Sequence, residues 1–256
     1  MFINISRDKE KPMDADVLAA LSRPERLELW AEIINRTQAV AVLELGVWKG
    51  EFAEYLLTHC PSINRYNMLD PWRHLDRWKK PANTSQKHFD KILDEALRRT
   101  DLAKDKRVIL RGTTVEVIEG ISDASLDLVY IDGDHTLKGI SIDLVRAYPK
   151  VRPGGIIGGD DYSPTIWQHA AKFEPTMVCP FAAYFAEAMG APLIIFPQNQ
   201  FAIIKPESGT YGADFRIIDT TGRYGEPAVL AQVRRPLWAH PLFKYLPSVS
   251  RPPFKN

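Results

Sequence analysis

Three aspartates hold the densest chemistry in the chain. Asp132 closes the apolar run LDLVYID (126–132), and Asp160 and Asp161 close VRPGGIIGGDD (151–161). Both runs read as buried strands. The three carboxylates then meet at neighbouring strand ends and repel one another unless protons or a cation lie between them. An all-oxygen donor set favours a hard ion such as Mg²⁺, which keeps part of its water shell and exchanges it for substrate oxygens. Asp132, Asp160 and Asp161 are therefore candidate metal ligands. The competing reading makes Asp160-Asp161 a turn cap ahead of Tyr162 and leaves Asp132 to hold an amino group of a bound ligand. His135 follows Asp132 by three positions, at the mouth of the same strand. An imidazole there is a candidate general base, with an ordinary pKa near ~6.5, and a nearby dication would hold it neutral. It serves equally well as a helix-start residue bonded to Asp132 or to a carbonyl.

A second constellation opens earlier. Glu44-Leu45-Gly46-Val47-Trp48-Lys49-Gly50 ends an apolar run and leads into a helix, with glycines where a backbone must approach a ligand before a helix N-terminus. A dinucleotide-binding dehydrogenase wants G-x-G-x-x-G, because a pyrophosphate needs several close amides. Gly46 and Gly50 are spaced G-x-x-x-G, which suits a neutral nucleoside carrying an amino-acid tail. Asp70, at the end of RYNMLD (65–70), is placed to accept both hydroxyls of a ribose, or else caps its strand. Arg111-Gly112-Thr113-Thr114 is small and polar, suited to an adenine edge. The loop PWRHLDRWKKPA (71–82) reads as a solvated charge run with aromatic anchors at Trp72 and Trp78.

These residues fall at the ends of alternating elements. The stretch 24–37 predicts a leading helix, with Leu27, Trp30, Ile33 and Ile34 on one face and a cap at Ser22 with Glu25 three residues on. AVAVLEL (39–45), RYNMLD, RVIL (107–110), LDLVYID and the run after Pro153 predict strands. The helices between them lie at 49–58, near 84–99, at 114–120 and after 136. Phe89, Ile92, Leu93, Ala96 and Leu97 give the second of these a strong apolar face. Strands that are apolar throughout and alternate with helices imply a parallel sheet covered on both faces. A helix near 180–189 then precedes PLIIF (192–196), and a polar link, PQNQ, joins it to FAIIK (201–205) as a hairpin. The sheet is thus expected to have seven strands, mostly parallel, with an antiparallel edge strand. The chain divides into an N-terminal helical segment (1–38), the α/β domain (39–205) and a proline- and aromatic-rich appendage (206–256), a lid or an oligomer contact with strand character only at FRIID.

Composition narrows the partners. Lys and Arg total 33 against 32 for Asp and Glu, so no basic excess marks a nucleic-acid surface. Cys60 and Cys179 stand far apart, with neither a disulfide framework nor zinc spacing. The start of the chain is charged and lacks the apolar core of a signal peptide. No apolar run approaches the roughly 18 residues of a membrane span. The expectation is a cytoplasmic protein with a small-molecule partner, free of nucleic acid and membrane, whose tail leaves room for a homo-oligomer.

The sequence resembles the methyltransferase 24 family of class I S-adenosylmethionine (SAM) dependent methyltransferases. The resemblance runs from about Val40 to Lys205 and is carried by LELGVWKGEFAEYLL, by LDPW and above all by LVYIDGDHTLKGISIDLVRAYPKVRPGGIIGGDDY. It implies a Rossmann-like α/β fold. It further implies SAM contacts from Gly46, Asp70 and Thr113, beside which Glu44, Gly50, Gly112, Thr114 and Asp132 stand as further candidate cofactor contacts, a Mg²⁺ ion at Asp132, Asp160 and Asp161, and His135 as the base. The expected reaction is Mg²⁺-dependent O-methylation of a small-molecule hydroxyl, such as a sugar diol or a catechol-like group of a natural product. The alternatives are a metal-independent N- or O-methyltransferase and a non-catalytic SAM-binding scaffold.

Overall fold

The computed structural model describes residues 14–163, 165–166, 173–209 and 211–223. The tail beyond 223, including the WAHPLFKY cluster, lies outside them. A short helix α1 (Ala15–Ala19) precedes α2 (Arg26–Thr37). Then β1 (Ala41–Leu45), α3 (Glu51–His59), β2 (Arg65–Asp70), α4 (Gln86–Arg99), β3 (Arg107–Arg111) and α5 (Thr114–Val117) alternate. They are followed by β4 (Leu126–Ile131), α6 (Leu137–Ala147), β5 (Val151–Gly159) and α7 (Val178–Met189). The chain ends its described course in β6 (Leu193–Phe196), β7 (Gln200–Ile204) and β8 (Ile217–Asp219).

The strands form one sheet in the order β3-β2-β1-β4-β5-β7-β6-β8. It has eight strands where seven were expected, because β8 pairs in parallel along β6. The hairpin partner β7 is antiparallel, as its short link requires, but it does not form the edge. It lies between β5 and β6 and pairs with both. The order reverses direction between β1 and β4, the switch point at which ligands of such sheets bind, outside the carboxyl ends of the strands.

Side chains alternate faces along each strand, and the two faces build two cores. Val42, Tyr66, Met68, Leu128 and Tyr130 pack beneath Trp30, Ile33, Ile34, Phe52, Leu56 and Phe89 of α2, α3 and α4. Leu43, Leu45, Leu69, Val129 and Ile131 pack beneath Ile140, Leu144, Cys179 and Phe185 of α6 and α7. Each large apolar side chain fully buried in this way contributes about 1.5–3 kcal/mol. The one-residue alternation matters for chemistry, because Glu44 then points into the first core between Val42 and the strand end.

Helix α2 begins later than its sequence suggests. Glu25, not Ser22, is its N-cap, and it makes no side-chain capping bond. The Ser22 hydroxyl instead pairs with Thr220 Oγ1 at 3.2 Å, beside β8. Among the described residues no helix is long and apolar enough to cross a membrane.

Candidate active site

A cavity of about 1040 Å³ opens at the carboxyl ends of β1, β2 and β4. That lies at the upper limit of ordinary small-molecule sites and leaves room for a nucleoside and a second substrate together. Gly46, Asp70, Thr113, Thr114, Asp132, His135 and Asp161 all line it.

The floor is the glycine turn. Gly46 has φ +88°, and a Cβ there would lie 2.1 Å from the carbonyl oxygen of Asp132. The position therefore needs glycine twice over, for its left-handed backbone and for the close approach of β1 to β4. Gly50, at φ +78°, turns the chain into α3 as its N-cap. Asp70 fastens this turn to β2. Its Oδ2 accepts from the amides of Val47 and Trp48, both at 3.0 Å, and its Oδ1 from the amide of Trp72 at 2.7 Å. Burial raises the Asp70 pKa, and the three amide donors act against that rise. The carboxylate expected to meet a ribose is thus also the clasp of the loop that would lie beneath it.

Glu44 sits deeper, only 1% exposed, and accepts from the Tyr66 hydroxyl at 2.8 Å. Burial pushes its carboxyl well above the usual range, which the Tyr66 bond only partly offsets. On the far wall, the Gly112 amide donates to the Asp70 carbonyl at 3.1 Å. Thr113 caps α5 through Glu116, whose carboxylate accepts from the Thr113 amide at 2.8 Å and pairs with Arg73 at 2.7 Å. The Thr114 hydroxyl donates to Asp143 at 2.6 Å. Asp143 is buried on α6, and burial pushes its pKa up to about 7.

The three acids converge as expected, but they are already paired. Nη1 of Arg26, the first residue of α2, lies 2.8 Å from Asp132 Oδ2 and 2.8 Å from Asp160 Oδ2. Burial works against the Arg26 charge, and Tyr130, Asp132 and Asp160 together outweigh it, so its pKa rises. Asp160 Oδ1 accepts from Gln200 Nε2 and from the Asp161 amide, each at 2.7 Å. Asp161 is in close contact with His135 Nδ1. His135 Nε2 stands 3.4 Å from Asp132 Oδ1, too poorly aligned to count as a hydrogen bond. Burial lowers the His135 pKa, but the two carboxylates win and carry it up to about 10, so the ring is charged at neutral pH.

Whether this donor set suits a divalent ion can be read from its partners. Asp132 and Asp160 are committed to a guanidinium and Asp161 to an imidazolium. Among the described residues no three His, Cys, Asp or Glu side chains are placed to hold a metal ion. The arrangement does not fit the Mg²⁺ site expected from Asp132, Asp160 and Asp161.

The loop 71–82 keeps the expected aromatic anchors and exposes Asp76, Arg77 and Lys79, but one of its charges, Lys80, is buried. Trp72 is fully buried, with its indole N–H on the Trp48 carbonyl at 2.9 Å. Trp78 Nε1 donates to Asp134 Oδ1 at 2.9 Å. Lys80, 6% exposed, donates from Nζ to the carbonyls of Glu174 at 2.9 Å and Pro175 at 3.4 Å. The loop thereby forms part of the cavity wall. Arg26, Lys80 and Asp143 are the site residues that sequence reasoning missed. Asp143 lies within the block that carries the resemblance and Lys80 within the loop 71–82, but neither position was assigned a role, and Arg26 lies over a hundred positions from the acids it bridges.

A parallel sheet of this order, with its cavity at the switch point and a glycine turn clasped by a strand-end acid, is the Rossmann-like architecture of the class I methyltransferases. Residues 43–162 match a family model described as a methyltransferase domain, that of the methyltransferase 24 family, and this segment of the chain belongs to that family. Solved structures share the fold at low identity. A provisionally assigned caffeoyl-CoA O-methyltransferase from Staphylococcus aureus aligns with TM-score 0.54 and 14% identity, covering 70% of this chain and 82% of its own. An O-methyltransferase family protein from Burkholderia thailandensis gives TM-score 0.52 and 13% identity, over 77% of this chain and 58% of that one. A Corynebacterium glutamicum protein gives 0.51 and 15%, over 76% and 92%. No curated protein matches the sequence.

Proposed function

We propose that this chain is a SAM-dependent methyltransferase acting on a hydroxyl of a small-molecule acceptor, such as a sugar diol or a catechol-like group. The observation that carries the reading is the single cavity running from the Gly46 turn past Asp70 to His135, within a methyltransferase domain. The Gly46–Gly50 turn and Asp70 would seat the nucleoside, with Gly112, Thr113 and Thr114 along the adenine edge and Glu44 beneath. Asp132 has its backbone against Gly46 and its carboxylate toward the acids, which suits it to the amino group of the methionine tail. Two of the structures that share the fold bear O-methyltransferase descriptions, which is why oxygen is proposed as the acceptor atom.

In the transfer, the acceptor oxygen attacks the sulfonium methyl, the S–CH₃ bond breaks as the O–CH₃ bond forms, and the hydroxyl proton leaves. That proton is assigned to His135, which lines the cavity. His135 must first release to bulk water the proton it holds against Asp161 and Asp132, a loss favoured when an acceptor hydroxyl enters between ring and carboxylate and weakens that pairing. Most of the acceleration would come from holding oxygen and methyl in line. The Mg²⁺ ion expected from the sequence finds no fitting donor set, and no step uses it.

The test is to incubate the full chain with methyl-labelled SAM and a panel of catechols and sugar diols, following acceptor-dependent formation of S-adenosylhomocysteine. Turnover is expected, reduced about 100-fold in His135→Asn with affinity for S-adenosylhomocysteine retained. A folded protein that binds S-adenosylhomocysteine yet methylates nothing in the panel would leave the scaffold reading in place.

A further inference from the structure

The unexpected occupant of the acidic cluster is a side chain from outside the family-matched segment. Arg26 reaches in from the start of α2, and one of its nitrogens stands at 2.8 Å from a carboxylate oxygen on each of Asp132 and Asp160. That point between the ends of β4 and β5 is where a cation held by both acids would have to sit.

The placement is built from several sides. Behind Asp160, Gln200 donates to Oδ1 at 2.7 Å. The Gln200 amide oxygen in turn accepts from Trp30 Nε1 at 2.9 Å and Tyr130 Oη at 3.1 Å. Gln200, Trp30 and Tyr130 are all fully buried, so Asp160 is aimed from the core and presents Oδ2 to Arg26. The guanidinium also lies 5.6 Å from the centroid of the Phe52 ring, a cation–π contact. At the helix start, the Arg26 amide meets Gln198 Oε1 at 3.3 Å, and Gln198 Nε2 donates to Glu25 at 2.9 Å. The β6–β7 hairpin therefore pins the backbone that delivers the side chain. A guanidinium keeps its charge across the accessible pH range. A divalent ion entering here would have to break two charge-assisted bonds and then stand beside a positive charge.

We infer that Arg26 is the resident cation of this site, standing where a divalent ion would bind and positioning Asp132 and Asp160 without one. Arg26 acts through the two aspartates and is a positioning residue. The inference rests on the methyltransferase reading only for its consequence, that turnover is indifferent to chelators. The geometry itself stands apart from it.

The experiment is a Mn²⁺ titration of the full chain followed by electron paramagnetic resonance, with and without S-adenosylhomocysteine, on wild type, Asp160→Asn, Arg26→Met, Arg26→Lys and Arg26→Met/Asp160→Asn. Wild type and Arg26→Lys are expected to show no saturable Mn²⁺ site. Arg26→Met should open one, at least about tenfold tighter than any residual wild-type binding, and Asp160→Asn should abolish it. The inference is overturned if wild type binds Mn²⁺ saturably and loses it in Asp160→Asn, a comparison that stands even if Arg26→Met fails to fold. It is equally overturned if a folded Arg26→Met binds none. Calorimetric binding of S-adenosylhomocysteine in the same samples reports on the methyltransferase reading separately. Its absence would remove that reading while leaving the Mn²⁺ result to judge Arg26.

Discussion

Gly46 is the residue at which conformation and close contact coincide. A methyl group there must sit within 2.1 Å of the Asp132 carbonyl while the backbone holds φ +88°. The left-handed backbone alone costs an alanine about 1–2 kcal/mol, and β1 and β4 must separate to relieve the clash. Gly46→Ala is expected to lower stability by about 3 kcal/mol or more and to abolish saturable S-adenosylhomocysteine binding, checked by urea unfolding and calorimetry. Wild-type behaviour in both would mean the turn is more pliant than its geometry implies. This glycine was legible because a turn after an apolar strand leaves few other uses for it, and Asp132, Asp160, Asp161 and His135 were legible as strand-end polar residues. What occupies the acids was not. Arg26 falls within an ordinary amphipathic helix, and only the packing of α2 against β4 and the hairpin brings it to them.

At the scale of elements, the loop 71–82 shows how burial can hide in a charged sequence. Two arginines and two lysines in the loop suggest solvent, yet Lys80 is held by main-chain carbonyls at Glu174 and Pro175. Burial lowers its pKa, against the opposing pull of Asp134, Asp161 and Glu174. Lys80→Met keeps the stem and leaves those carbonyls without their donor, a loss of about 1–3 kcal/mol confined to this wall. Hydrogen exchange should quicken across 71–82 and 173–177 while amides of β1, β2 and β4 keep wild-type protection. Uniform quickening would show instead that Lys80 supports the whole domain. The hairpin carries a parallel lesson. The short polar link fixes that β6 and β7 pair antiparallel, but which of them meets β5 depends on contacts some forty residues apart, such as Ile157 with Ile203. For that reason an edge strand was expected where an interior one stands.

The molecule as a whole stores a pH dependence in its buried carboxyls. Asp143 has its pKa raised by burial to about 7, against an ordinary 3.8. Between those values the unfolded chain has released a proton that the folded chain retains. Stability therefore falls as pH rises through the window and levels off above about pH 7. The penalty at pH 8 is on the order of 4 kcal/mol. Asp143→Asn can still accept from Thr114 and has no proton to lose. Its urea midpoint should exceed that of wild type at pH 8, and the difference should shrink toward pH 4. A difference that stays constant with pH would contradict the assignment. The sheet itself was readable from sequence because parallel strands buried on both faces are apolar without alternation. The eighth strand is three residues long and its side chains are only half-buried, so its pattern is weak.

The central claim is that the cavity at the Gly46 turn binds SAM, and calorimetric titration of S-adenosylhomocysteine into the full chain tests it most directly. The account predicts one saturable site per chain, with Kd on the order of micromolar, lost in Gly46→Ala and unchanged by EDTA. A folded wild-type protein that takes up no S-adenosylhomocysteine, with or without added divalent ion, would contradict it.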